Sequence, residues 1–333
     1  MKILITGGAG FIGSNFARFA VELGHSVILL DNFSRPRSID TALGMENDLS
    51  LKIHNVDIRD FHDLNGLLSL HSDISAVWHL AGQVSYQSSL IDPISDFATN
   101  ALGTQNILEA CRNLPNLQSF VYSSSNKVYG DLKEIDYQIE GNRYNAIHYP
   151  FGFTEKLPIK PAGPYGVSKF SGELLCAEYA ESFGIPAIAF RQSSITGMRQ
   201  FATDDQGWVS YFAEKFATDK TYYFTGEGLQ VRDILHVRDL FDLFILASKS
   251  YSGFDVFNIG GGIDNSISIL ELRILLNSIT RNNPSFEVKD FRSKDQKFFV
   301  SDNAKAEQTF KWKPNFSKTH IIEELVEWFR CIN

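Results

Sequence analysis

The chain has 333 residues, 44% of them hydrophobic and 21% charged, a balance that suits a globular protein of one large or two coupled domains with enough apolar content for a core. A net charge of −8 without a long basic run argues against nucleic acid or an anionic membrane surface as main partner. Cys111, Cys176 and Cys331 stand far apart and form no Cys-x-x-Cys, so Cys111 and Cys176 read as small buried apolar residues on helices, and neither a disulfide framework nor a bound metal is expected.

The first predicted element is a strand, Ile3-Leu4-Ile5, too short for a signal peptide or a membrane span, which makes a cytoplasmic location the expectation. It stops at Thr6-Gly7-Gly8-Ala9-Gly10-Phe11-Ile12-Gly13, a glycine turn that opens a helix. Gly7 can make the tight turn, Gly10 admits a pyrophosphate close to the backbone, and Gly13 lets the helix lie near the sheet. The N–H groups of that helix's first turn then favour an anion. Ser26 to Leu30 reads as a second strand ending on Asp31, about 20 residues beyond the glycines, as a dinucleotide fingerprint requires. A carboxylate there accepts from the adenosine ribose hydroxyls of NAD and repels the extra phosphate of NADP.

The polar turn Asn32 to Ser38 carries Arg35 and Arg37 and reads as a solvated loop, since Asp31 opposes a 2′-phosphate. Leu51 to Val56 is a third strand ending on Asp57-Ile58, where the carboxylate either receives the adenine amino group or caps the helix that begins near Asp60. Ser75 to Leu80, the fourth, ends on Ala81-Gly82-Gln83, small residues that let backbone approach a ligand; His79 within it reads as a packed residue. Asp92-Pro93 opens a long helix with a capping carboxylate and a proline at the first helical position. Its stripe of Ile94, Phe97, Ala101, Leu108 and Cys111 is core or a subunit interface, with Asn100 part-way along.

Gln118 to Ser123 is the fifth strand and runs into a serine cluster, Ser123-Ser124-Ser125, at the strand end where open α/β sheets bind ligands. Gly163 to Lys169 starts a helix that Gly184 stops, and Pro186 to Arg191 is the next strand. Beyond Ser193 the pattern loosens into an aromatic helix (Trp208, Tyr211, Phe212) and a strand at Tyr222 to Thr225. Val231 to Val237 and Val256 to Ile259 are expected to return to the main sheet, and Gly260-Gly261-Gly262 reads as a turn. A final amphipathic helix bears Ile321, Leu325 and Trp328. The predicted fold is α/β: a Rossmann-type doubly wound parallel sheet (1–191 plus about 231–260) with a smaller C-terminal α/β lobe (about 192–230 plus 261–333). Interleaved lobes of this kind leave a cleft, a favoured place for ligands.

Tyr165 and Lys169 are four apart on a helix and so share a face. A tyrosine that acts as a base near neutral pH must lose roughly three units from its reference pKa of about 10. An ammonium about 6 Å away at an effective dielectric near 20 supplies roughly two of them, and the positive ring of oxidised NAD much of the rest. A hydroxyl from Ser125 would hold the substrate oxygen and share its proton.

The glycine loop, Asp31, the Ser123-to-Gly130 motif and Tyr165-Gly-Val-Ser-Lys169 together resemble, over nearly the whole chain, the extended short-chain dehydrogenase/reductase family in its NAD-dependent nucleotide-sugar epimerase/dehydratase branch. The resemblance implies that Ser125, Tyr165 and Lys169 are catalytic. It implies that NAD is held by Gly7, Gly10, Phe11, Ile12 and Gly13, by Asp31, Asn32, Ser34, Arg35, Asp57 and Ile58, and by Leu80, Ala81, Gly82, Asn100 and Ser123 with Tyr165 and Lys169. Gln83, Ser194, Arg199, Gln206, Arg232 and Arg292 would hold the nucleotide sugar, with Arg232 and Arg292 against its diphosphate, where bidentate guanidinium pairing makes physical sense.

Within the branch, the segments His79–Val84, Ser124–Asp131, Arg199–Thr203, Asp205–Val209 and Gln230–Asp233 are most similar to 2-epimerases of CDP-linked dideoxyhexoses, although those carry threonine at the place of Ser125 and differ over Asp136–Lys160. Asn126-Lys127 replaces the Asp-Glu pair of the branch's dehydratases. The resemblance thus implies an epimerase that keeps NAD bound and assembles as a homodimer or homotetramer through the helices of Pro93–Leu114 and Tyr165–Phe183. A UDP-sugar 4-epimerase is the alternative, and a dehydratase, a keto-sugar reductase or a catalytically silent NAD-binding regulator are the remaining readings.

Overall fold

A computed structural model describes residues 1–202, 206–250, 253–290 and 295–332. Its main sheet has seven strands: β1 (Lys2–Thr6), β2 (Ser26–Asp31), β3 (Ile53–Asn55), β4 (Ala76–His79), β5 (Ser119–Ser125), β6 (Ala187–Gln192) and β7 (Phe254–Ile259), in the order β7-β6-β5-β4-β1-β2-β3. The pairings β1–β2, β1–β4, β2–β3 and β4–β5 are parallel. The order reverses between β1 and β4, so the carboxyl ends of those strands form the switch point at which doubly wound sheets take ligands.

Parallel strands need both faces covered, and β1 shows it, with Ile3, Leu4 and Ile5 wholly buried. One core cluster joins Leu4, Leu30, Val77 and Phe120 of the sheet to Ile107, Leu108, Cys111 and Cys176 of the helices, which puts both helical cysteines in the apolar interior. Another set joins Phe16, Trp78, Phe241 and Phe244 edge to face, with ring centroids 5.0 to 5.8 Å apart, worth about 0.5–1.5 kcal/mol per pair beyond burial. The Trp78 indole N–H donates to Ser248 Oγ.

The helix opened by Asp92-Pro93 is not uniform. Asp92 caps it through Ser95 N–H, and α-helical turns at Pro93–Phe97 and Gly103–Cys111 enclose a π-helical turn, Ala98–Leu102, which contains Asn100. Single π turns are rare and concentrate at functional sites.

The chain divides into two compact units: 1–125, 163–191 and 241–257, and 126–162, 192–240 and 258–333. In the second, helices Trp208–Ala217, Ile269–Thr280 and Lys318–Ile332 enclose a core of Phe212, Phe216, Leu272, Leu276, Ile322 and Leu325. Strand Val231–His236 belongs here and does not return to the main sheet as its sequence suggests. It pairs in parallel with Ser194–Thr196 and Phe298–Phe299, and antiparallel with Ser266–Ser268. The cause is a buried carboxylate in mid-strand: Asp233 accepts from Ser193 Oγ and from the N–H groups of Gly262 and Ser301, so the strand closes on its own unit. Of the two strands expected to return, Phe254–Ile259 does so and lies beside β6. Residues 126–162, including the hairpin Tyr137–Glu140/Arg143–Ala146, also lie in the second unit. No helix among the described residues is long and apolar enough to cross a membrane, and no group of His, Cys, Asp or Glu among them is placed to hold a metal ion.

Candidate active site

The glycine loop is built to receive a phosphate. Gly7 has φ +72°, and a Cβ on Gly13 would lie 2.2 Å from Gly7 O, so the turn and the close crossing both require glycine. Helix Phe11–Glu22 starts at Gly10 with no side-chain cap and no acidic residue in its first turn, which contains Phe11 and Ile12. Its first amides are therefore left for an anion. Asp31, at the end of β2, accepts from Ala9 N–H at 3.0 Å and Phe33 N–H at 2.8 Å. Burial pushes its carboxyl above the usual range, opposed by those hydrogen bonds and by the charge of Arg35. A carboxylate with two oxygens can still accept from ribose hydroxyls, so the loop and Asp31 fit a dinucleotide.

Asp60, not Asp57, caps the next helix, through the N–H groups of His62 and Asp63. Asp57 is held by Arg59 and by Asn32 Nδ2 at 2.9 Å, and chiefly the Arg59 hydrogen bonds keep it well below the usual carboxylate range. Ser34 is exposed, its N–H bonded to Asn32 Oδ1, and Ile58 is buried against Gly103.

At the end of β4 the N–H groups of Leu80 and Ala81 donate to Thr6 Oγ1, tying two strand ends together. His79 bridges Thr6 Oγ1 at 2.7 Å and Thr104 Oγ1 at 3.0 Å. Burial pushes its pKa down to about 3, so it is a neutral packed residue. Asn100, from the π turn, brackets Gln83: Oδ1 accepts the Gln83 N–H and Nδ2 donates to the Gln83 carbonyl. The Gln83 amide itself is engaged at both ends by the backbone of Ser85. A Cβ on Gly82 would lie 2.9 Å from Asn100 Oδ1 and 3.1 Å from Lys169 Nζ, so both atoms face that backbone position.

Ser125 ends β5 and shares a hydrogen bond with the Tyr165 phenol, and each is 8% exposed. Lys169, also buried, donates from Nζ to Ser123 O at 2.9 Å; its other N–H groups have no acceptor among the described residues. The three residues singled out as catalytic therefore meet at one strand end. Burial adds an effect that the spacing does not show, however. Burial pushes the Tyr165 phenol up to about 12, against which act the Ser125 hydrogen bond and the charge of Arg35, while Asp96 adds to the rise. Burial also brings Lys169 down to about 8. The ammonium alone thus does not hold the phenol near neutrality, because the same desolvation acts on both groups.

Several residues that complete this site carry no signal in the sequence beyond their positions. Glu173, four residues after Lys169 on the same helix, accepts from Ser124 Oγ at 2.5 Å and pairs with Arg191 Nη2 at 2.7 Å and Nε at 3.0 Å. Both are almost wholly buried. Ser168, within the Tyr-x-x-Ser-Lys run, donates to the buried Asp96.

The residues assigned to the nucleotide sugar are placed in the second unit, apart from Gln83 and from Arg292. Ser194 Oγ accepts from Trp208 Nε1, and Arg232 Nη2 meets Asp295 Oδ1 at 2.7 Å. Asp295 also takes Lys127 Nζ at 3.5 Å, so two cations share one carboxylate. Arg199 has φ +68° and is half-buried, as is Gln206. Arg292 lies outside the described residues, as do Thr203 and Asp205.

A family model described as the NAD dependent epimerase/dehydratase family matches residues 3–260. CDP-paratose 2-epimerase of Salmonella typhi is 38% identical, with 100% of each chain covered. UDP-glucose 4-epimerase of Mycolicibacterium smegmatis is 30% identical over 99% of each. Among solved structures, UDP-glucuronic acid 4-epimerase from Bacillus cereus, in complex with UDP-glucuronic acid and NAD, superposes with a TM-score of 0.85 at 27% identity, covering 100% of both chains.

Proposed function

The chain belongs to the NAD-dependent epimerase/dehydratase family, and on that premise we propose that it inverts carbon 2 of a CDP-linked 3,6-dideoxyhexose, interconverting CDP-paratose and CDP-tyvelose. The observation that carries the chemistry is the Ser125–Tyr165 hydrogen bond beside the buried Lys169; full-length similarity to a CDP-paratose 2-epimerase carries the substrate.

The glycine loop, the capless helix start and Asp31 would hold the dinucleotide, with Ser34, Arg35, Asp57 and Ile58 along its adenosine half. Leu80 to Gly82, Asn100 and Ser123 would line its nicotinamide half, where the uncommitted N–H groups of Lys169 suit ribose hydroxyls. When bound, NAD supplies the acceptor for the carbon-bound hydrogen and its electron pair, gives them back, and adds a positive charge in its oxidised form. Ser125 holds the sugar oxygen, and Tyr165 takes the hydroxyl proton and returns it once the sugar has turned. A phenol pushed up to about 12 by burial needs all the cationic help at hand, which is the work of Lys169 and Arg35. Arg232 and Arg292 would pair with the diphosphate, and Ser194, Arg199 and Gln206 would contact the sugar nucleotide.

The purified protein, without added NAD, is predicted to interconvert CDP-paratose and CDP-tyvelose in a proton NMR assay. Inertness toward both, with inversion of UDP-glucose at carbon 4, would replace this reading by the second, for which the 30% identity to a UDP-glucose 4-epimerase speaks.

A further inference from the structure

Four ionic groups are buried at the acid–base unit, Glu173, Arg191, Asp96 and Lys169, and among the described residues the first two form an ion pair while the other two form none. Glu173 is neutralised by Arg191, which grips it through Nε and Nη2. Asp96 is fully buried in the turn before Asn100. It accepts from Ser168 Oγ at 2.5 Å and lies 3.4 Å from Asn100 Nδ2, and no cation among the described residues forms an ion pair with it. Lys169 in turn has only a carbonyl as acceptor among the described residues. Asn100 connects the two: it touches Ser168 Oγ at 3.0 Å and Asp96, and its Oδ1 shares the space over Gly82 with Lys169 Nζ. An isolated buried charge is expensive, so each of these two groups stays ionised most readily with the other as its counterion.

We propose that Asp96 is a positioning residue for the reaction: held by Ser168 and Asn100, its carboxylate is the counterion that keeps Lys169 an ammonium in a buried site. The proposal rests on the reading of Tyr165 and Lys169 given above. It also gives Ser168 a task, that of fixing Asp96 through a charge-assisted hydrogen bond.

The neighbours support this division of labour. Burial brings Lys169 down, and of the groups that oppose it Asp96 acts most, ahead of Cys176 and Glu173. The Cys176 thiol is pushed well above its usual value by burial and is neutral at working pH. His79, which also faces Lys169, is neutral as well. Tyr122, whose ring centroid is 5.2 Å from Lys169 Nζ, is held far above the phenol's usual value by burial. Facing Tyr165 are Asp96 and Arg35, and facing Asp96 itself is Lys169. Burial pushes the Asp96 carboxyl above the usual carboxylate range, and the Ser168 hydrogen bond and the Lys169 charge oppose that rise. With Glu173 spoken for, Asp96 is the anion left to balance Lys169.

The test is a pH titration of Lys169 in the intact enzyme, by NMR of lysine isotopically labelled at Cε, with the signal assigned from its absence in Lys169→Met. Removing a carboxylate lowers the pKa of a neighbouring ammonium. In Asp96→Asn, which keeps the shape and an acceptor for Ser168, the Lys169 midpoint is predicted to fall by about one pH unit. The alkaline limb of CDP-paratose/CDP-tyvelose interconversion falls with it, and Asp96→Glu restores both. Should Asp96→Asn fail to fold, Ser168→Ala carries the test: with its hydroxyl anchor gone, Asp96 is more easily protonated, and the Lys169 midpoint moves in the same direction by less. An unmoved midpoint in the folded variant overturns the proposal whatever the substrate. A Tyr165→Phe enzyme that stays active instead overturns the acid–base reading on which it rests.

Discussion

Two buried carboxylates, Asp233 in the second unit and Asp96 in the first, are handled in opposite ways. Asp233 takes three hydrogen bonds, from the Ser193 hydroxyl and the N–H groups of Gly262 and Ser301, and a Cβ on Gly260 would lie 2.0 Å from its Oδ2. Its surroundings are closed, and the strand that carries it is pinned to its neighbours. Asp96 accepts from the Ser168 hydroxyl and feels the charge of a buried ammonium, Lys169, whose one hydrogen bond among the described residues goes to a carbonyl. Ionisable groups that the protein saturates are structure; those it buries and leaves partly unmatched are poised for a ligand and a proton.

The comparison breaks most visibly at Tyr165. Its phenol is bonded to Ser125 and little else, so Tyr165→Phe is predicted to lower the interconversion rate about 10³-fold while changing folding free energy by no more than about 1 kcal/mol, as read from steady-state rates and urea unfolding. Asp233→Ala should do the reverse of this on the stability side. Stripping the acceptor from one hydroxyl and two backbone N–H groups is expected to destabilise by about 3 kcal/mol, seen as a lower urea midpoint. An exposed pair sharpens the contrast: Lys160 and Glu134 meet at 2.6 Å but are 63% and 44% exposed, so Lys160→Ala should shift unfolding by less than about 0.5 kcal/mol.

Much of this was legible in the sequence for physical reasons. The glycine loop, Asp31 and Tyr165-x-x-x-Lys169 lie in short segments whose spacing alone sets their geometry, and each stands where expected. What escaped depends on long-range partners. The π turn around Asn100 leaves no mark in the helical periodicity of its segment. The destination of Val231–His236 is decided by Asp233 and by partners 40 and 68 residues away, whereas its apolar run alone fits either sheet. Asp96, 72 residues from Ser168, reads in sequence as an ordinary first-turn acid. The rise of the Tyr165 phenol comes from desolvation, which spacing does not reveal and which brings Lys169 down as well.

The central claim is that the inverted carbon loses its hydrogen to the enzyme's own bound cofactor and regains the same one, while Tyr165 handles only the hydroxyl proton. The most direct test is to run the CDP-paratose/CDP-tyvelose interconversion in deuterium oxide without added NAD and to read carbon 2 of the product by proton NMR. Inversion with no deuterium at carbon 2 is the predicted result. Deuterium appearing there would mean that solvent protonates the carbon directly, and would contradict the account.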